Sequence, residues 1–276
     1  MQKIPGKQIA QKILDDLKDE VEKNGLRPKL GVLLVGDDSA SRLYVSLKSK
    51  AAEQIGVATE MREMPSDTPD NELIDIIKGW NQDPNIHGIL IQLPLPAGHD
   101  TDAIVAAMDP KKDADGFHPE NVQALKEGRG HIISPLHEAV LRLMSATDMA
   151  PNHAFVVIYA NSETFSEPLE YLLRKAGSDV QVLDPKHKDD KLSREADAVI
   201  VAVGQPNFLT SNGVRHGSVI IDIGINKSAD GKVCGDFDSQ GSQELDGWYT
   251  PVPGGVGPMT IALLLKNVVD MARPSE

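Results

Sequence analysis

The stretch Lys29-Leu-Gly-Val-Leu-Leu-Val35, followed by Gly36-Asp-Asp-Ser39 and then Tyr44-Val-Ser-Leu-Lys-Ser-Lys50, decides the architecture. A short apolar run bounded by turn residues reads as a buried strand. The polar cluster after it reads as the start of a helix from Ser39 to Ile55. The same alternation extends in both directions. Helical spacing covers Gln8 to Lys23, with Ile9, Ile13, Leu14, Leu17 and Val21 on one face. A strand over Ala58 to Met64, a helix over Asp70 to Gln82 and a strand over His87 to Leu93 come next. A helix from Asp100 to Met108 leads into a polar loop, Asp109 to His118. Pro135 to Ala146 is helical. A second series follows: strand 154–159, helix 167–176, strand 179–183, helix 190–195, strand 197–203 and strand 218–223. Val256 to Ala272 forms a last helix. Alternating strands and helices predict an α/β protein with mainly parallel strands. The second series reads as a dinucleotide-binding, Rossmann-like fold.

Composition limits the function. A chain of 276 residues, 40% hydrophobic and 25% charged, supports one large or two medium globular domains. A formal net charge of -13 argues against nucleic acid or anionic membrane as the partner. The single cysteine, Cys234, excludes an internal disulfide framework and suits a reducing compartment. The first residues, Met1-Gln-Lys-Ile-Pro-Gly-Lys7, lack the apolar core of a signal peptide, and no apolar run is long enough to span a bilayer. A cytoplasmic protein is expected, and no metal site is.

Four segments carry candidate chemistry. Tyr44 and Lys48 are four residues apart and share a helix face. Such a lysine can donate or accept a proton if burial tunes it, although an ordinary surface lysine fits the spacing equally well. In Gly88-Ile-Leu-Ile-Gln92-Leu-Pro94-Leu-Pro96 a polar glutamine ends an apolar strand, where open α/β sheets bind ligands. A glutamine that only satisfies backbone groups is the plainer alternative. Lys112-Asp-Ala-Asp115-Gly-Phe-His-Pro119 presents two carboxylates in a turn, which solvated loop acids would also explain. Tyr249-Thr-Pro-Val-Pro-Gly-Gly-Val-Gly-Pro-Met-Thr260 combines glycines that permit close backbone approach with prolines that stiffen the loop.

In order and spacing, these four segments resemble the bifunctional methylenetetrahydrofolate dehydrogenase/methenyltetrahydrofolate cyclohydrolase family. Its members carry Tyr-Val-x-x-Lys-x-Lys, Gly-Ile-Leu-Val-Gln-Leu-Pro-Leu-Pro, Asp-Val-Asp-Gly-Phe-His and Pro-Val-Pro-Gly-Gly-Val-Gly-Pro-Met-Thr. The resemblance runs from about Gly6 to the last helix. It implies a homodimer of two-domain subunits. Residues 1–121 form an N-terminal α/β catalytic domain, joined by helix 256–276, and residues 122–255 form the Rossmann-like domain. A folate cleft between them is implied too, with the C-terminal helix packing back on the first domain. The substrate is a tetrahydrofolate derivative. Lys48 is then the catalytic lysine of hydrolysis, Gln92 holds and tunes it, and Tyr44 hydrogen-bonds near the folate. Beside a cationic substrate a neutral amine is electrostatically favoured. Asp115 accepts from the pterin amino group and ring nitrogen. Gly257 and Pro258 line the folate cleft. Ser41, one turn before Tyr44, reaches the same cleft or is a solvated helix hydroxyl.

Departures from the family cluster in the second half. The family's nucleotide loop, Gly-[Arg/Ala]-Ser-x-x-Val-Gly-x-Pro, corresponds to Tyr159-Ala-Asn-Ser-Glu-Thr-Phe-Ser-Glu-Pro168. Tyr159 replaces the first glycine, and Phe165 or Ser166 the second. Asn161 replaces the serine unless a one-residue insertion falls early and Ser162 keeps it. Glu163 and Glu167 place acids near an expected pyrophosphate. A tyrosine at that turn is expected to obstruct the cofactor and to be strained. Pro-Cys-Thr-Pro-x-Gly becomes Ile132-Ile-Ser-Pro-Leu-His137. Cys-His-Ser-[Arg/Lys]-Thr becomes Asp184-Pro-Lys-His-Lys188, whose lysines suit a 2′-phosphate or a plain solvated turn. Tyr159, Ala160, Asn161 and Ile225 are the candidate cofactor contacts.

The expectation from this asymmetry is a methenyltetrahydrofolate cyclohydrolase whose NADP-dependent dehydrogenase activity is weak or lost. Two other readings stay open: a fully bifunctional enzyme with an altered loop, and a non-catalytic folate-binding homologue.

Overall fold

The computed structural model describes residues 1–130, 132–149, 153–228 and 231–274. The chain forms two compact units, neither continuous in sequence. One comprises Ala10–Pro135 with Ile261–Glu276, the other Met1–Ile9 with Leu136–Thr260.

The first unit holds a three-stranded parallel sheet. Lys29–Val35 lies between Ala58–Met64 and Gly88–Ile91. The middle strand is paired on both sides and buried along nearly its whole length. That is why it reads as an uninterrupted Val/Leu run rather than an alternating one. Leu33, Val35, Ile89 and Ile91 from the sheet pack with Leu73, Ile77 and Trp80 of the Asp70–Gln82 helix. The last helix, Val256–Met271, contributes its C-terminal part to this unit. There the Asn267 amide donates to the carbonyls of Ala114 (3.0 Å) and Ile133 (3.2 Å). Gly88 admits the helix closely, since a Cβ at this position would stand 3.0 Å from Val268. The expected return of the C-terminal helix to the first domain is therefore present.

The second unit holds a six-stranded sheet in which every pairing is parallel. Its order is Gln2–Lys3, Trp248–Tyr249, Val219–Asp222, Ala198–Ala202, Phe155–Ala160, Asp179–Leu183. The chain first steps from Phe155–Ala160 to Asp179–Leu183, then back to Ala198–Ala202 on the other side. The reversal opens a crevice at the C-terminal ends of Phe155–Ala160 and Ala198–Ala202, the nucleotide position of a Rossmann sheet.

Several expectations need correction. The boundary falls at Pro135 and Leu136, not at 121 and 122, because Asn267 ties Ile133 to the last helix. Residues 1–9 belong to the second unit, because Gln2 and Lys3 pair in parallel with Trp248 and Tyr249. The helix expected at 167–176 runs from Glu163 to Lys175, with Pro168 inside it. A helix over Pro119–Lys126 lies beyond the expected loop, capped by His118, whose Nδ1 accepts the Glu120 N–H at 3.1 Å.

Candidate active site

The Ser39–Gln54 helix starts at Asp38, whose carboxylate accepts the Ser41 N–H at 2.7 Å. Its buried residues include Ser41, Val45 and Ala52. Lys48 falls on the same stripe, seven residues after Ser41 and four before Ala52, where an amphipathic helix would carry an apolar side chain. Ser41 is thus buried (6% exposed), not a solvated hydroxyl. Tyr44 and Lys48 are half-buried. Burial raises the Tyr44 phenol above its ordinary pKa, and its hydroxyl makes no hydrogen bond among the described residues.

Lys48 meets Gln92 just past the Gly88–Ile91 strand. The ammonium donates to the Gln92 Oε1 at 3.1 Å. The amide is held at its other end, where Nε2 donates to the Leu93 carbonyl at 2.8 Å. With Nε2 committed, the oxygen faces Lys48. The Gln92 N–H continues the sheet by donating to Leu33 O at 2.9 Å.

The 113–118 turn separates its two carboxylates by role. Asp113 is buried (1% exposed) and accepts from the N–H groups of Gly116 and His118, both at 2.8 Å, and from Asn121 Nδ2 at 2.9 Å. Gly116 is required here. Its φ is +72°, and a Cβ would lie 2.7 Å from the Ser134 nitrogen. Asp115 is half-buried, and its carboxylate makes no hydrogen bond among the described residues. Burial pushes its pKa up, the Lys48 charge pulls it down, and Asp113 pushes it up. Lys48, Gln92 and Asp115 therefore share one electrostatic site. The role of Asp113 as the organiser of the turn is not visible from its sequence position. The hint is the Asp-x-x-Gly spacing, which suits an aspartate capping its own turn.

Gly257 and Pro258 lie in the first turn of the Val256–Met271 helix, within the second unit, and both are partly exposed. Among the described residues, nothing beyond its chain neighbours and its own helix backbone lies within 4 Å of a Cβ built on Gly257.

The altered nucleotide turn differs from expectation. Tyr159 sits within the Phe155–Ala160 strand, fully buried, with its ring against Phe208 at 5.1 Å. Its hydroxyl lies 2.7 Å from Ser193 Oγ and accepts the Asp189 N–H at 3.1 Å. It is neither strained, since its φ is not positive, nor an obstruction, since the side chain points into the core. Only its backbone is left to meet a ligand. Asn161 is exposed and reaches across the crevice, donating from Nδ2 to the Val203 carbonyl at 2.7 Å. Ala160 is partly exposed, and Ile225 is 55% exposed. Glu163 opens the following helix and is exposed.

Two other departures meet each other. His137 is buried, and its ring lies 5.5 Å from that of Phe165. Its Nε2 donates to the Phe165 carbonyl at 2.9 Å. Burial pushes the imidazole down to about 4, against the opposing pull of that carbonyl. Across the sheet end, the buried Asp236 accepts the N–H groups of Val203 (2.7 Å), Gly204 (3.0 Å) and Gln205 (2.8 Å), together with Asn226 Nδ2 (2.8 Å). Neighbouring Asp222 is pushed up to about 7, chiefly by burial.

One unit thus carries a lysine–amide–carboxylate set at its strand ends, and the other is a parallel Rossmann-like unit. This is the class of two-domain α/β enzymes that pair a catalytic unit with a nucleotide-binding fold. The family model described as tetrahydrofolate dehydrogenase/cyclohydrolase, catalytic domain, matches residues 4–115, and that family's NAD(P)-binding domain matches residues 135–276. The chain belongs to the tetrahydrofolate dehydrogenase/cyclohydrolase family. The bifunctional protein FolD of Nautilia profundicola is 41% identical over 98% of this chain and 96% of its own. The FolD methylenetetrahydrofolate dehydrogenase/cyclohydrolase of Campylobacter jejuni superposes with a TM-score of 0.94 at 38% identity, covering 99% and 98% of the two chains. The Trypanosoma brucei FolD, solved with NADP and an inhibitor, superposes at 0.90 with 29% identity, covering 97% and 95%. The expectation of weak or lost NADP binding draws no support from these matches. No helix among the described residues is long and apolar enough to cross a membrane.

Proposed function

We propose that this enzyme hydrolyses 5,10-methenyltetrahydrofolate to 10-formyltetrahydrofolate, with Lys48 as the proton-moving group. The observation that carries the reading is the Lys48–Gln92 bond at 3.1 Å beside the free carboxylate of Asp115. The cationic substrate favours the neutral form of Lys48, so water adds through its oxygen to the bridging methenyl carbon and loses one proton to that amine. The bond from that carbon to N5 then breaks, and the Lys48 ammonium delivers the proton N5 needs. The hydroxyl proton leaves to solvent as the formyl C=O forms on N10, so the reaction releases one proton overall. Gln92 orients the lysine. Asp115 receives the pterin donors, and its raised pKa suits a carboxylate waiting for hydrogen-bond donors. Tyr44 offers its free hydroxyl to the folate. Ser41 supports that helix from its buried side, and Gly257 and Pro258 are candidate folate contacts by the resemblance alone. A homodimer belongs to this reading by resemblance, and sedimentation would test it.

The dehydrogenase half needs a dinucleotide, which would supply the hydride acceptor. The sheet reversal and the helix opening at Glu163 fit such a group in topology. The Asn161 amide across the crevice and the Glu163 carboxylate at the helix entrance oppose its pyrophosphate. NADP-dependent dehydrogenation is accordingly weaker than hydrolysis. A second reading, both activities in full, is favoured by the family match over residues 135–276.

Loss of methenyltetrahydrofolate absorbance tests the first claim. Lys48→Met should slow it by about a hundredfold or more, the usual worth of a positioned proton donor. Equal rates for parent and variant would sink the assignment. Calorimetric titration with NADP tests the second, and tight binding together with fast NADP reduction would favour the bifunctional reading.

A further inference from the structure

We propose that the second unit prefers a dinucleotide without a 2′-phosphate, NAD(H) over NADP(H), and that Asp184 sets the preference. The inference rests on the proposed function only in taking this unit as a nucleotide-binding one.

Asp184 directly follows the Asp179–Leu183 strand. In the parallel register Tyr159 pairs with Leu183, so Asp184 stands level with Ala160, the last residue before the turn. It lies 22 residues beyond Ser162. In a Rossmann sheet an acid at the end of the second strand, about 20 residues past the phosphate turn, accepts from the adenosine ribose hydroxyls. The side chain is exposed yet fixed. One oxygen accepts the Lys186 N–H at 2.8 Å and caps the short turn of helix Pro185–His187. The other has no hydrogen bond among the described residues. A ribose 2′,3′-diol brings two donors to such a carboxylate. A 2′-phosphate brings acceptors and negative charge instead.

The cations of the same turn do not reverse this. Lys188 is engaged with Asp190 at 2.9 Å and sits over the Phe208 ring at 5.2 Å. Lys186 and His187 are exposed, and among the described residues neither side chain has a partner to seat it. A pre-positioned carboxylate faces a ligand more effectively than an unseated ammonium, which must be ordered on binding. Asp189 is spent on its own helix, accepting the N–H groups of Lys191 and Leu192.

Calorimetric titration of the full chain with NAD+ and with NADP+ tests the proposal. NAD+ should bind at least about tenfold more tightly, the worth of one unfavourable charge contact at the surface. D184S should erase or invert that ratio while its thermal melt stays that of the parent. If D184S unfolds, the isosteric D184N serves instead. Equal or tighter NADP+ binding by the parent overturns the proposal, as does a variant that keeps the parent ratio. Binding of neither nucleotide overturns it as well. That last outcome leaves the hydrolysis reading untouched, because methenyltetrahydrofolate turnover is read separately.

Discussion

Replacing His137 by leucine should change the sign of a stability difference as the solution is acidified. The imidazole is buried, held at about 4 against an unfolded value of 6.5, and bonded to the Phe165 carbonyl. A base with a depressed folded pKa contributes stability that is complete above 6.5 and is lost as pH falls toward 4. Above pH 7 the variant lacks only the hydrogen bond to the Phe165 carbonyl, a cost of about 0.5–1.5 kcal/mol. Below that, the parent alone pays to keep its imidazole neutral. Linkage with the two pKa values gives about 1.4 kcal/mol at pH 5.5 and about 2.6 kcal/mol at pH 4.5. The curves should therefore meet near pH 5.5, and at pH 4.5 the variant should be the more stable protein. Asp222 acts in the opposite sense. Its raised pKa makes its contribution complete below 3.8 and lost as pH rises through about 7. That effect is common to both proteins and cancels in the difference. Urea denaturation at pH 7.5, 5.5 and 4.5, followed by circular dichroism, supplies the measurement. Parallel pH profiles would refute the assignment of a neutral, buried His137.

Gln92→Leu should slow methenyl folate hydrolysis roughly a hundredfold by freeing the Lys48 ammonium, with a displaced pH profile as the sign of a positioning role. An unchanged profile would make Gln92 a mere strand-end residue. Gly116→Ala should lower stability by roughly 2 kcal/mol or more through its φ and the Ser134 backbone, measured as a reduced Tm. Tyr159→Phe should cost about 1–3 kcal/mol by orphaning the Asp189 N–H, without restoring NADP affinity. Tighter NADP binding in that variant would return Tyr159 to the role of an obstruction.

The sequence was most legible where one physical signal acted alone. The Lys29–Val35 strand is apolar because it is paired on both sides, and the Ser39–Gln54 helix begins at an aspartate that caps it. Lys48 and Gln92 were found through motifs, and the structure joins them directly. Legibility failed where distant parts of the chain decide. The strands Gln2–Lys3 and Trp248–Tyr249 are two residues each and exist only through their partners. The helix expected at 167 begins instead at Glu163, with Pro168 inside it. Tyr159 was read as a turn residue from the glycine it replaces. Its alternation with Val157, which shares its core cluster, places it instead on the inward face of a strand. The helix Pro119–Lys126 had visible signals in Pro119 and Glu120, but its cap is a histidine, which seldom plays that part.

Each unit is completed by the opposite end of the chain: residues 1–9 close the second, and residues 261 onward close the first. During synthesis the order of assembly is therefore inverted. The segment bearing Lys48, Gln92 and Asp115 leaves the ribosome before residues 136–260, but lacks Asn267 and Val268 until those have been made. The nucleotide-binding unit, with its first strand already waiting, has all its residues sooner. The unit that carries the lysine is thus the later of the two to become whole, so its uncovered sheet face must be tolerated while the other unit is being made.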